Sequence, residues 1–135
     1  MRFKLGFTLV EIMLVVIIIG ALAAMIVPRL SGRSEQARTA VAKADIQTNI
    51  ATALKMYELD NGMFPTTAQG LQALREKPSS SPVPRNWQGP YLEREPIDPW
   101  ENPYVYVSPG THRADYDLYS KGKDPNASNG YITNW

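Results

Sequence analysis

The chain has 135 residues, with 14 Lys and Arg against 13 Asp and Glu, and no cysteine. That length suits one small domain. The balanced charge argues against a nucleic-acid-binding protein, and the missing thiols exclude a disulfide framework, a thiolate metal site and a Cys nucleophile.

The slightly negative mean hydropathy describes neither half of the chain. Ile12 to Val27 carries no charged residue, whereas ten of the 11 prolines, all three tryptophans and six of the seven tyrosines lie at or after Pro65. Extended back to Phe7 across the single Glu11, the apolar run has 21 residues. At about 1.5 Å per residue it reaches roughly 30 Å, enough to cross a bilayer core. A secretory signal peptide shares the basic start and apolar middle. The run is long for one, and Val27-Pro28-Arg29-Leu30 is a poor small-residue cleavage site, so a membrane span is the better reading. Glu11 is the anomaly, since a carboxylate in an apolar helix costs a few kcal/mol unless paired or protonated. Either it lies at the membrane interface within reach of water, or it pairs with a cation inside an assembly. If the chain were cut after Gly6, Phe7 would carry a new α-amino group four residues from Glu11, a spacing that allows a pair within one chain or between staggered chains.

Beyond the span, Ile46, Ile50, Ala53, Leu54 and Tyr57 follow the spacing of an amphipathic helix, so one helix is expected from Phe7 to about Asp60. Pro28 should kink or loosen it, and Asn61-Gly62 should stop it, with Pro65 just beyond. Thr66 and Gln69 fit a capping box opening a short helix to about Arg75, with Leu71 and Leu74 on one side. Lys77 to Pro84 is a Ser/Pro-rich connector. Strands are expected at Pro103–Ser108, Tyr116–Ser120 and, as an edge, Tyr131–Thr133, with Pro109-Gly110 turning between the first two. Three short strands need a packing partner, and the stripe from Ile46 to Tyr57 supplies it. The fold class is therefore α+β: a long N-terminal helix, its first half transmembrane, packed against a small three-stranded antiparallel sheet. The chain divides at residues 1–6, 7–30, 31–60 and 61–135.

Little in this sequence suggests catalysis. No nucleophile is paired with a base, and no Gly-rich phosphate loop is present. His112 reads as a solvated turn residue, Asp98-Pro99 as a turn, Trp100 as a core anchor, and Trp87 and Trp135 as packing. The one metal candidate is the polar segment bearing Ser120, Asp124, Asn126, Ser128 and Asn129, which could offer calcium oxygen ligands. By itself, Lys123 to Gly130 is an ordinary polar turn.

Gly6-Phe7-Thr8-Leu9-Val10-Glu11 resembles the class III signal of type IV pilins and pseudopilins. The resemblance implies that residues 1–6 are a leader, removed after Gly6 by a prepilin peptidase that also N-methylates Phe7. It further implies that Glu11 neutralises the new amine of a neighbouring subunit, and that the helix around Pro28 either kinks at the membrane exit or melts on filament packing. Charge counting leaves orientation ambiguous, because Arg29, Arg33, Arg38 and Lys43 follow the span. The cytoplasmic action of the peptidase places the C-terminal part in the periplasm, anchored to the bacterial inner membrane by a single pass.

Further blocks run the length of the chain: Tyr57 to Pro65, Thr66 to Leu74, Asn86-Trp87, Gly89 to Leu92, Asp98 to Tyr104, Tyr116 to Ser120, and Asn134-Trp135. Together they resemble the major pseudopilins of type II secretion. That resemblance implies a homopolymeric periplasmic filament driving protein export. Its expected partners are minor pseudopilins and the inner-membrane assembly platform, with work supplied by a separate ATPase. It also implies a structural calcium held by the Leu118 carbonyl, Ser120 and Asp124. Here the loop is shorter and lacks a second Asp, so Asn126, Ser128 or Asn129 would have to substitute, with weaker binding. A type IV major pilin is disfavoured by the missing cysteine pair and the small C-terminal domain. A monomeric membrane-anchored periplasmic binding module is the alternative of a different class.

Overall fold

The computed structural model describes residues 6–135 except 27–31 within the first helix, so residues 1–5 of the expected leader and the kink expected at Pro28 lie outside the described residues. The chain forms two units, one up to Ala37 and one from Arg38 to Trp135. In the first, helix α1 (Leu9–Ala44) begins, and its described residues up to Ile26 are exposed on every side. The second unit holds the end of α1, a π-helical turn (Asp45–Asn49), helix α2 (Ile50–Asn61), a 3₁₀ turn (Leu71–Leu74) and strands β1 (Val105–Val107), β2 (Asp117–Ser120) and β3 (Ile132–Thr133). The strands form one antiparallel sheet with β2 in the centre. Val105 faces Tyr119 and Val107 faces Asp117 across β1 and β2, and Ser120 faces Ile132 across β2 and β3.

The expected long helix is present but not uniformly α. Its buried residues Ala42, Ile46, Ile50 and Leu54 recur every four positions. In a straight α-helix each step of four overshoots a turn by about 40°, so the stripe would drift off the sheet. The π-turn widens the helix, marked by the Ile50 N–H bonding the Asp45 carbonyl five residues back, and this corrects the drift. Asp45 is tied down at the same place: Asn49 Nδ2 donates to its Oδ1 at 2.7 Å and the Tyr104 hydroxyl donates to its Oδ2 at 2.8 Å. The helix stops where expected. Gly62 takes φ +75°, open mainly to glycine, and its N–H caps the Glu58 carbonyl at 2.7 Å.

The capping box at Thr66 forms in both directions. Gln69 N–H donates to Thr66 Oγ at 3.2 Å, and Thr66 N–H donates to Gln69 Oε1 at 3.1 Å. It opens a turn followed by the 3₁₀ segment, not an α-helix to Arg75. The cause is Gly70, whose backbone at φ +61°, ψ −167° leaves helical space. Gln69 then does a second task, its amide donating to the carbonyls of Ser80 and Pro82 and fixing the Ser/Pro connector. Trp87 Nε1 donates to the Ala73 carbonyl at 2.9 Å, and Trp87, Tyr91 and Trp100 pack partly buried against the core.

A tight Pro109-Gly110 hairpin does not form. Residues 108–116 instead wrap around the carboxylate of Asp117, which is 2% exposed. It accepts the N–H groups of Thr111, His112 and Arg113, the Thr111 hydroxyl at 2.7 Å, and a hydrogen bond with His112 Nδ1 at 3.0 Å. Gly110 is required by this wrap: a Cβ there would meet the Arg113 carbonyl and lie 2.7 Å from Asp117 Oδ1. His112 is therefore not simply solvated, and it also stacks flat on Trp135 with ring centres 4.0 Å apart. Trp135 itself is 46% exposed, so it closes the sheet end from outside and is not a core residue.

Burial alone would raise the Asp117 pKa, but the hydrogen bonds from Thr111 and His112 outweigh it and hold the carboxyl well below the ordinary carboxylate range. A depressed folded-state value means that its contribution to stability is complete above the unfolded pKa, about 3.9, and is lost as pH falls below it. Denaturant unfolding of Asp117→Asn should show lower stability at neutral pH and a flatter dependence on pH below about 4 than the parent chain. A second expectation concerns the core. Leu54 is fully buried, and Leu54→Ala should cost about 3 kcal/mol, seen as a lower denaturation midpoint with little change in the slope.

Candidate functional sites

The first site is the start of α1. Thr8 precedes the helix, and its N–H and hydroxyl both donate to Glu11 Oε2, at 2.8 and 3.0 Å. In return Glu11 N–H donates to Thr8 Oγ at 3.2 Å, and the first backbone turn closes from Ile12 N–H to the Thr8 carbonyl. Thr8-Leu9-Val10-Glu11 is thus a reciprocal capping box. Its signal, Thr-x-x-Glu before an apolar run, is legible in the sequence. Chemically the box satisfies two otherwise unpaired donors and puts the negative charge at the positive end of the helix dipole. Both Thr8 bonds fall on one carboxylate oxygen. A carboxylate offers about four acceptor positions, so a cation can be accepted as well. Gly6 and Phe7 lie exposed immediately before this box.

Around the box, every described residue from Phe7 to Ile26 is exposed, including Leu9, Val10, Ile12 and the run Met13–Ile19. Residues Leu9–Ile26 are long and apolar enough to cross a membrane. A helix hydrophobic all round is stable only inside lipid or packed among other helices. This stretch finds no such cover within its own chain among the described residues.

The second site is the segment after β2, where calcium ligands are expected. Leu118 is in mid-strand, and its carbonyl accepts Asn134 N–H at 3.0 Å. The Ser120 hydroxyl is fully buried; it donates to Asp98 Oδ2 at 2.5 Å and accepts Gly122 N–H at 3.0 Å. Asp124 is exposed, and its Oδ1 accepts Asn126 N–H at 3.0 Å in a local turn. Asn126 and Ser128 are exposed, with Ser128 opening the 3₁₀ turn Ser128–Gly130. The structure therefore brings Asp124 to Asn126, and Ser120 to Asp98, a partner that sequence spacing could not reveal. Among the described residues no three of His, Cys, Asp and Glu gather at one point. A calcium cage of six to eight oxygens rich in carboxylate is not matched by this donor set.

Asp98 has a structural task of its own. It is 3% exposed, its Oδ1 accepts the N–H groups of Trp100 and Asn102 at 3.0 and 2.9 Å, and it thereby holds the turn before β1.

Comparison with known proteins agrees with these features. The family model described as type II secretion system protein G matches residues 29–135. Type II secretion system core protein G of Pseudomonas aeruginosa is 53% identical over 124 residues, 91% of this chain and 86% of the relative. The core protein G of Escherichia coli K12 is 48% identical over 132 residues, covering 96% of this chain and 90% of the relative. Among solved structures, the major pseudopilin from the type 2 secretion system of enterohaemorrhagic Escherichia coli superposes with a TM-score of 0.69 at 38% identity, covering 78% of this chain and 89% of that one. The long apolar helix, the three-stranded sheet and these matches together establish that the chain belongs to the type II secretion system protein G family, the major pseudopilins.

Proposed function

We propose that this chain is a non-enzymatic structural subunit that polymerises into the periplasmic pseudopilus of a type II secretion system, and that filament growth drives export of folded proteins across the outer membrane. The observation that carries this reading is the exposed apolar surface of Leu9–Ile26, which needs lipid before assembly and other copies of itself after it. The subunit waits in the inner membrane as a single-pass protein with the unit from Arg38 onward in the periplasm. Prepilin peptidase cuts after Gly6 and methylates Phe7. The new amine then lies one residue before the Thr8–Glu11 box. Glu11, already oriented by Thr8, accepts the amine of a neighbouring subunit and so offsets two charges that would otherwise be stranded in an apolar filament core. Minor pseudopilins and the inner-membrane assembly platform are its partners in starting and extending the filament.

Two substitutions separate the charge of Glu11 from its capping role. Gln at this position preserves a capping box but carries no charge, whereas Ala removes both. Glu11→Ala and Glu11→Gln should each insert into membranes normally and lose most of the filament detected by shearing and crosslinking. Normal filaments from Glu11→Gln would show that the cap, not the charge, is what assembly uses. Intact-mass measurement of the purified protein should also find a chain beginning at methylated Phe7; an intact Met1 in cells with an active peptidase would favour a monomeric anchor.

A further inference from the structure

The segment after β2 is arranged differently from a calcium loop, and we propose that it holds its shape through its own hydrogen bonds and backbone packing, without a divalent cation. Charge is the first ground. Residues 121–130 contain Lys121 and Lys123 against Asp124 alone, so a calcium ion would enter a segment already net positive. The second ground is that two of the expected ligands are already engaged. The buried Ser120 hydroxyl joins Asp98 to Gly122 N–H, and the Leu118 carbonyl belongs to the bond that extends the sheet to Asn134.

Closure of the loop is the third ground. Gly122 is buried at φ +70°, and a Cβ there would lie 2.7 Å from the Gly130 carbonyl oxygen. The two ends of the loop therefore meet backbone to backbone, where a metal-held loop would be bridged by the ion. Asp124 Oδ1 accepts Asn126 N–H, and its carbonyl accepts Ala127 N–H, so the turn closes through its own hydrogen bonds. On the sheet side, Tyr131 stacks on Tyr119 with ring centres 5.3 Å apart and fixes the segment's return into β3.

The test is thermal melting of the full chain in detergent, in about 5 mM calcium, the same concentration of magnesium, and chelator. The melting temperature should agree among the three to within about 2 °C, because a ligand that binds only the folded state at many times its Kd raises it by several degrees. Asp124→Ala and Ser120→Ala should lower the melting temperature by the same amount with calcium and with chelator. A calcium-specific rise larger than about 2 °C over magnesium would overturn the proposal, as would a loss on Asp124→Ala that appears only in calcium. Should Ser120→Ala fail to fold, the Asp124→Ala comparison alone decides, since that side chain is exposed.

Discussion

The burial of one apolar stripe, Ala42 to Tyr57, is the interaction on which the folded unit depends. Three strands of two to four residues cannot stand alone in water. They persist because Leu118, Tyr106, Tyr116 and Ile132 join Ile46, Ile50, Leu54 and Tyr57 in a single core. The π-turn at Asp45–Asn49 is the local adjustment that keeps a four-residue repeat facing that core. Two tyrosine hydroxyls stitch β1 and its approach to the rest: Tyr104 donates to Asp45 on the helix, and Tyr106 donates to the buried Pro65 carbonyl at 2.7 Å. Burial and the Asp45 hydrogen bond both push the Tyr104 phenol well above its ordinary pKa, so it remains a neutral donor throughout the physiological range.

The apolar stretch before this unit follows the opposite rule. From Leu9 to Ile26 the helix has no polar face to give to water, and among the described residues nothing covers it. Such a surface has two stable surroundings, hydrocarbon and other helices, and a subunit that moves between them can use both in turn. The Thr8–Glu11 box fits that passage. It keeps the helix end satisfied in either surrounding, with the Glu11 carboxylate at the positive end of the helix dipole.

Much of the folded unit is neither helix nor strand, and carboxylates organise it. Asp98, Asp117 and Asp124 each accept backbone N–H groups from residues within a few positions, turning irregular chain into defined loops. Buried backbone donors must be paired with something, and where no ladder exists an ionised oxygen is a strong substitute. Asp98 goes further and reaches Ser120 across 22 residues, linking the turn before β1 to the end of β2.

The sequence by itself determined whatever depends on local periodicity and neighbouring residues. The apolar span, the amphipathic stripe, the Gly62 stop, the Thr66–Gln69 box and all three strands were legible because each is written within a few residues of itself. The Thr8–Glu11 capping box is written just as locally, in a Thr-x-x-Glu spacing. Tertiary structure alone decided the rest. The π-turn arises because a sheet fixes which face of the helix is buried. The 3₁₀ segment replaces a helix because Gly70 and the connector held by Gln69 redirect the chain. The wrap on Asp117, the Asp98–Ser120 bond and the His112–Trp135 stack join residues whose partners no spacing rule names. Periodicity reports which way a side chain faces; only the closed fold reports what it meets there.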